Sequence, residues 1–243
     1  MLYFYDHIIY YPILNALVFL YNTVAFHDLG IAIILLTLLV RIILYPLFHK
    51  SARHQAISQR LQPEVKKLQE LHKGDKQKQT AAIMALHKEH GINPFSGFLL
   101  LVVQLPVLIG LYQILSRSLK PEFLAGLYSF IDAPAAINPI FLGLINLSEG
   151  SIFIVGLAAI AQYFQGKLAL PKPQPGVAPS QAEKMSRQMV FVGPGITLLI
   201  FYSLPAAVSL YWFVSSLFSV LQQMRVNKQL EHGITRTGNQ KNS

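Results

Sequence analysis

The chain has 243 residues, 53% of them hydrophobic and only 13% charged, with a formal net charge of +9 and no cysteine. The missing cysteine excludes a disulfide framework, a thiolate metal site, a thiol nucleophile and a lipidated N-terminal Cys, while several apolar runs of ~16–20 residues indicate a polytopic helical membrane protein. In such a chain the basic excess reads as a topology signal and as contact with anionic lipid, not as a footprint for specific nucleic acid.

Residues 1–27 are rich in aromatics, and Pro12, Asn15 and Asn22 interrupt the apolar pattern. They carry neither a basic n-region nor an A-x-A site, so no removed signal peptide is expected. Leu14, Leu17, Val18, Tyr21 and Val24 share one face at helical spacing. With tyrosine at both ends, the segment reads as an extracytoplasmic amphipathic helix lying in the interface plane. A sixth span is the alternative.

The first span, 28–49, contains the run Leu29–Phe48, and inside it stands Arg41. An arginine at that depth costs at least ~2.5 kcal/mol, so a groove or a partner should keep it wet. Thr37 and Tyr45 lie four residues to either side and extend a polar stripe on the same helical face. The plainer alternative is an arginine that snorkels to the nearer interface.

Residues 50–94 read as a helical hairpin outside the membrane. Ile57, Leu61, Val65, Leu68 and Leu71 make a narrow apolar seam on a charged helix. Gly74-Asp75 breaks it, and Gln77–His90 forms the second arm, ending at Gly91 before Pro94. A second span follows at 95–119, then an irregular extracytoplasmic connection at 120–149 and a third span at 150–170. The loop 171–188 holds Pro171, Pro173, Pro175 and Pro179 and reads as semi-rigid and exposed. Two shorter spans, 189–204 and 205–223, meet at Pro205. Gly193-Pro194-Gly195 should kink the first of them. Residues 224–243 form a basic tail, expected to be disordered at its end.

Charge sets the orientation. Nine Lys/Arg fall in the hairpin, four in the Pro-rich loop with its flanks, and four in the tail, against Arg117 and Lys120 on the other side. The positive-inside rule then puts hairpin, loop and tail in the cytoplasm and the N-terminus outside.

The absences narrow the chemistry. All eleven acidic residues and all eight histidines lie outside the five spans or at their edges. No carboxylate relay, serine elbow or Walker loop is present, so neither an enzyme nor an ATP-driven pump is indicated. His87 and His90 share a helix face, but without carboxylate or thiolate neighbours they read as a solvated face and not as a metal site. What remains is non-covalent: Thr37, Arg41, Gln104, Gln162, Gln165, Thr197, Ser209, Tyr211, Trp212, Ser215 and Ser216 are the polar groups within spans. Singly, such residues serve helix–helix hydrogen bonds; gathered around one cation, they would line a hydrated concavity.

Three stretches in order, TLLVRIILYPLF (37–48), EHGINPFSGFLLLVVQLPVLIGLYQIL (89–115) and LPAAVSLYWFVSSLFSVLQQ (204–223), resemble the YidC/Oxa/Alb family of membrane protein insertases, in its short bacterial form. The match runs from about residue 8 to Gln223. It implies an all-α fold of five transmembrane helices around a polar groove, open to cytoplasm and lipid and closed outward. By the motif match Arg41 resembles the groove arginine and Trp212 the aromatic lining the same groove. Gln165 resembles the groove glutamine, with Gln162 one turn earlier as the alternative. Residues 50–93 resemble the mobile cytoplasmic hairpin. The implied partners are nascent membrane proteins and membrane lipids, with ribosome and Sec translocon as further candidates; no cofactor is implied, and the place is the bacterial plasma membrane. Departures are Pro205-Ala206-Ala207 where the family has Pro-Ser/Ala-Gly, Ser216 where Asn is usual, no large periplasmic domain on an extra N-terminal span, and a short tail. The rival from another class is a transporter or channel for a small anion with Arg41 as its binding charge; a purely structural assembly factor is a third.

Overall fold

The computed structural model describes residues 2–93, 96–117, 126–170 and 181–240. The architecture is helical: α1 (Leu2–Tyr5) runs through a π-helical turn (Asp6–Tyr10) into α2 (Tyr11–Thr23), followed by α3 (Leu29–Ile43), α4 (Tyr45–Arg60), α5 (Gln62–Leu71) and α6 (Lys76–Glu89). After these come α7 (Ser96–Arg117), a two-stranded ribbon of β1 (Ile140–Phe141) and β2 (Ile145–Asn146), α8 (Ile152–Ala169), α9 (Gln181–Phe201) and α10 (Ala206–Gln240). The loop prolines at 171–179 lie outside the described residues, as does the start of the 120–149 connection.

The N-terminal helix is a structural member of the bundle. Leu14, Leu17, Val18 and Tyr21 of its apolar stripe are buried, although Val24 is exposed, and the helix packs against α3 and α7. Asn15 and Asn22, which interrupt the sequence pattern, are the anchors of the long connection. Asn15 Oδ1 accepts from Tyr128 N at 2.7 Å while its Nδ2 donates to Gly126 O at 2.9 Å. Asn22 Nδ2 donates to Asp132 O at 2.7 Å. The Tyr21 hydroxyl accepts from Asn138 N at 2.9 Å. Backbone groups withdrawn from water need such partners, so the two asparagines and Tyr21 fold residues 126–138 onto α2. Asp28 does the same for the ribbon: it caps α3 by accepting from Ile31 N at 3.0 Å and holds Leu142 N at 2.7 Å. β1 and β2 pair antiparallel, Phe141 opposite Ile145, around Leu142 and Gly143, both with positive φ, as hairpin turns of this twist require.

The run Leu29–Phe48, continuous as a sequence, is two helices in space. α3 stops at Ile43, and α4 departs at 70°. Pro46 explains the break: it has no N–H to give and its ring would clash with the carbonyl four residues back, whereas the first turn of a new helix tolerates it. α5 and α6 form the hairpin arms, turning through Gly74 at φ +99°. Their own small core gathers Leu61, Val65, Leu86 and Ile92, with Ile57 and Leu68 against it; Leu71, the last seam residue, is exposed.

The main core is built from α2, α3, α7 and the first turns of α10, with Leu14, Ile33, Leu111, Ile114 and Leu147 fully enclosed. α10 begins where Ala206 N and Ala207 N donate to Glu149 O and Leu147 O, at 2.7 and 3.1 Å. It does not end at Gln223: the helix continues through the expected tail to Gln240. Val226 is fully buried, Asn227 Nδ2 donates to Leu168 O at 2.8 Å, and Arg60 Nη1 donates to Leu230 O at 3.4 Å. With no proline after Pro205 and these contacts in place, nothing stops the helix.

Among the described residues one helix, Ile152–Ala169, is by itself long and apolar enough to cross a membrane; α3 and α4 qualify only as a bent pair, and Phe98–Ile114 is a shorter apolar helix. The charges at Lys184 and Arg187 shorten the apolar part of α9, and Gln222 and Gln223 do the same for α10.

Candidate functional site: a polar cavity around a buried arginine

α3, α4, α7, α8, α9 and α10 converge on a cavity of about 370 Å³. Arg41 enters it from the last turn of α3 and is only 6% exposed. The bend after Ile43 sets Phe48 over it, with the guanidinium carbon 4.2 Å from the ring centroid, a cation–π contact that suits a delocalised, weakly hydrated cation. Its Nη1 is buried without a hydrogen-bond partner. The ion pair found among the described residues, Lys78–Asp75 at 3.3 Å, is exposed and lies at the hairpin turn. The Arg41 charge therefore faces the cavity with no acidic side chain among the described residues to compensate it.

The other walls are amides and hydroxyls. Gln104 of α7 donates through Nε2 to the Tyr211 hydroxyl, and Thr197 of α9 donates to Gln162 Oε1 of α8. Both bonds fix a glutamine by one atom. Gln165 lines the same wall one turn on, beside Gly166. Val190 packs where a Cβ on Gly166 would stand, 3.2 Å away. From α10 come Trp212, Ser215, Ser216, Ser219, Gln222 and Gln223. Their spacing of 3, 1, 3, 3 and 1 places them on one helical face. The Trp212 ring packs on Phe201 at 5.2 Å and its Nε1 is buried with no partner.

Of the residues singled out from sequence, Arg41, Gln104, Gln162, Gln165 and Trp212 meet at this cavity. Tyr211 sits behind the wall, buried, as the partner of Gln104. Thr37 and Tyr45 do not join them. Thr37 is fully buried and spends its hydroxyl on Ile33 O at 2.6 Å, within its own helix. Tyr45 lies past the break, so the expected stripe does not reach it; its ring stacks on His49 at 5.4 Å. Its carbonyl accepts from Gln222 Nε2 at 3.4 Å. Sequence reading missed Gln55, Ser219, Gln222 and Gln223. The signal for the last three was present, since they continue the Trp212–Ser216 face at helical spacing within the span 205–223.

Among the described residues neither carboxylate nor imidazole lines the cavity. It offers amide donors and acceptors, hydroxyls and one permanent cation, which can solvate a polar segment and attract an anion. Among the described residues no group of three or more His, Asp or Glu is placed to hold a metal. The expectation that His87 belongs to a solvated face is overturned: it is buried, with Nε2 3.2 Å from Ser58 Oγ and Nδ1 2.9 Å from Ile83 O. His90 binds separately, 3.0 Å from Leu86 O.

Residues 19–233 match the family model described as 60Kd inner membrane protein. Similar curated proteins include the "Membrane protein insertase YidC" of Magnetococcus marinus, 32% identical over 93% of this chain and 36% of its own length. The protein of the same name from Geobacter metallireducens is 31% identical over 90% of this chain and 37% of its own. That of Rickettsia conorii is 30% identical over 91% and 39%. The chain thus spans a little over a third of the length of the relatives it matches. With nearly its whole length inside the matched region, the chain belongs to the 60Kd inner membrane protein family, whose relatives here carry the name membrane protein insertase YidC.

Proposed function

We propose that this chain inserts newly made membrane proteins into the bacterial plasma membrane from its cytoplasmic side, without nucleotide hydrolysis. The observation that carries the reading is Arg41: a buried guanidinium with an unsatisfied nitrogen, in a cavity lined by amides and hydroxyls. A permanent charge so placed is expensive to keep and is retained where it serves a ligand or pathway. The relatives' name supplies the class of ligand, a nascent membrane protein.

In this reading the spans are 28–49, 95–119, 150–170, 189–204 and 205–223, the hairpin 50–94 and the C-terminal helix are cytoplasmic, and the N-terminal helix caps the outer end. The hairpin receives the client. The client's short polar segment then enters the cavity, which lessens the thickness of hydrocarbon it must cross. Arg41 draws acidic residues of that segment inward. The membrane potential, positive outside, favours their onward movement by about 2.3 kcal/mol per charge per 100 mV. The client helix leaves sideways into lipid past α8 and α10, driven by burial of its ~20 apolar residues. Ribosome and Sec translocon are candidate co-workers.

Photo-crosslinking tests the assignment. A photoreactive amino acid at position 212 and another at 165 should both label a ribosome-stalled client. Labelling confined to lipid-facing positions such as Ile160 would identify an assembly chaperone instead, and labelling nowhere would favour a small-anion carrier.

A further inference from the structure

A second cavity, of about 710 Å³, lies at the root of the hairpin, where α4, α6 and the start of α7 meet. Its walls are of two kinds. Leu47, Met84, Ile92 and Leu99 are its apolar part, while Lys50, Lys88 and His54 stand among serine, histidine and asparagine groups as its polar part, and among the described residues no acidic one lines it. The lysines come from different helices, α4 and α6, and both are exposed, so neither is tied up in the fold. His54 is held by its inner nitrogen: Asn93 N donates to Nδ1 at 3.1 Å. A backbone N–H can only donate, so the proton of the neutral ring is on Nε2, which remains a donor. The frame around these groups is fixed by Ser51 Oγ donating to Ser96 O at 3.2 Å and by the His87–Ser58 bond at 3.2 Å.

A ligand that satisfies this lining has an anionic, oxygen-rich head and an apolar tail. A free anion would leave the apolar wall uncovered, and an apolar peptide would leave two ammonium groups unanswered. Position adds a second argument. The cavity sits where the apolar helices α3 and α7 give way to the charged arms, the level at which phosphates stand if the hairpin root is cytoplasmic. Basic pockets at that boundary are suited to lipid headgroups. We propose that this cavity binds an anionic phospholipid, its phosphate between Lys50 and Lys88 with His54 as a further donor, and one acyl chain along Leu47 and Leu99. The lipid then joins α4 to α6 and holds the hairpin at one angle to the bundle. The placement at headgroup level rests on the topology proposed above; the binding itself does not.

The test is native mass spectrometry of the full chain in detergent, titrated with phosphatidylglycerol, with phosphatidylcholine and with inorganic phosphate. Phosphatidylglycerol should bind as a discrete single adduct, well ahead of phosphatidylcholine. Lys50→Gln and Lys88→Gln should each weaken it about fivefold and together about thirtyfold. Lys66→Gln/Lys67→Gln, an equal loss of charge on the hairpin arm, should leave it unchanged, and all variants should keep the parent melting temperature. Equal weakening by the Lys66/Lys67 pair would reduce the effect to general charge attraction and overturn the site. Inorganic phosphate binding with the same lysine dependence, without lipid retention, would overturn the lipid assignment. Because the measurement needs no client, it separates failure of this site from failure of the insertase reading, which the crosslinking experiment addresses.

Discussion

Replacing Arg41 by alanine separates a charge that works from a charge that merely packs. Two terms act on stability. The contact with Phe48 at 4.2 Å is worth about 0.5–2 kcal/mol, and its loss destabilises. Removing a buried cation with no acidic partner among the described residues relieves a desolvation penalty of several kcal/mol. The second term outweighs the first, so the melting temperature of the detergent-solubilised variant should hold or rise. Insertion should change in the opposite sense. A client carboxylate about 4 Å from the guanidinium gains about 4 kcal/mol at an effective dielectric constant of ~20. Desolvating that carboxylate returns part of the gain, which leaves about 1–2 kcal/mol, or about 5–30-fold in rate. In proteoliposomes with a protease-protection readout, Arg41→Ala should therefore slow clients with acidic translocated segments by that factor. Neutral counterparts should remain within about twofold, and Arg41→Lys should retain most activity. Equal losses on acidic and neutral clients, or a collapse in melting temperature, would refute the electrostatic role.

Three further outcomes follow from the packing. A Cβ on Gly30 would stand 2.1 Å from Phe141 Cδ2, so Gly30→Ala should destabilise by about 1–3 kcal/mol. Phe141→Ala should rescue it in a double-mutant cycle read by thermal unfolding, and an unchanged Gly30→Ala melting point would show the ribbon is not seated there. Asn15→Leu strands the Tyr128 N–H and the Gly126 carbonyl, at a cost of about 1–3 kcal/mol for each group left unsatisfied. Residues 126–138 should become sensitive to added protease while the hairpin does not. Burial, then Lys50, then Arg53 hold the His54 imidazole below its usual value. The unfolded chain therefore takes up this proton first, near pH 6.5, and the contribution of neutral His54 is complete above that pH and is lost as pH falls through its folded value. Hydrogen exchange at the Asn93 amide, corrected for intrinsic rate, should rise on acidification and stay flat in His54→Gln, which keeps an acceptor that does not titrate. A flat profile in the parent chain would contradict the bond.

How far the molecule is legible in its sequence depends on the range over which each feature is decided. Stripes set by helical period are local, and Leu14, Leu17, Val18 and Tyr21 or Ile57, Leu61, Val65 and Leu68 bury as their spacing implies. Arg41 was legible for a different reason: one charge in a twenty-residue apolar run has few ways to be stable, and a polar cavity is one. Asn15 and Asn22 were not, because their partners are 110 or more positions away; from sequence they weaken a span, whereas in space they hold down a loop. The break at Leu44 was written in Pro46, but the apolar run on both sides masked it. That break removes Tyr45 from the expected stripe and brings in Phe48. The span on α10 was ended at Gln223 because hydropathy ended there, although the helix continues to Gln240. These misses share one cause. Apolar content marks where a helix can meet lipid, while the polar face that it turns inward continues until backbone chemistry stops it. On α10 that face runs from Trp212 to Gln223 and carries the cavity wall beyond the apolar segment, toward the hairpin root. A client would thus meet amides and hydroxyls before it meets hydrocarbon, with Arg41 at the inner end of the path.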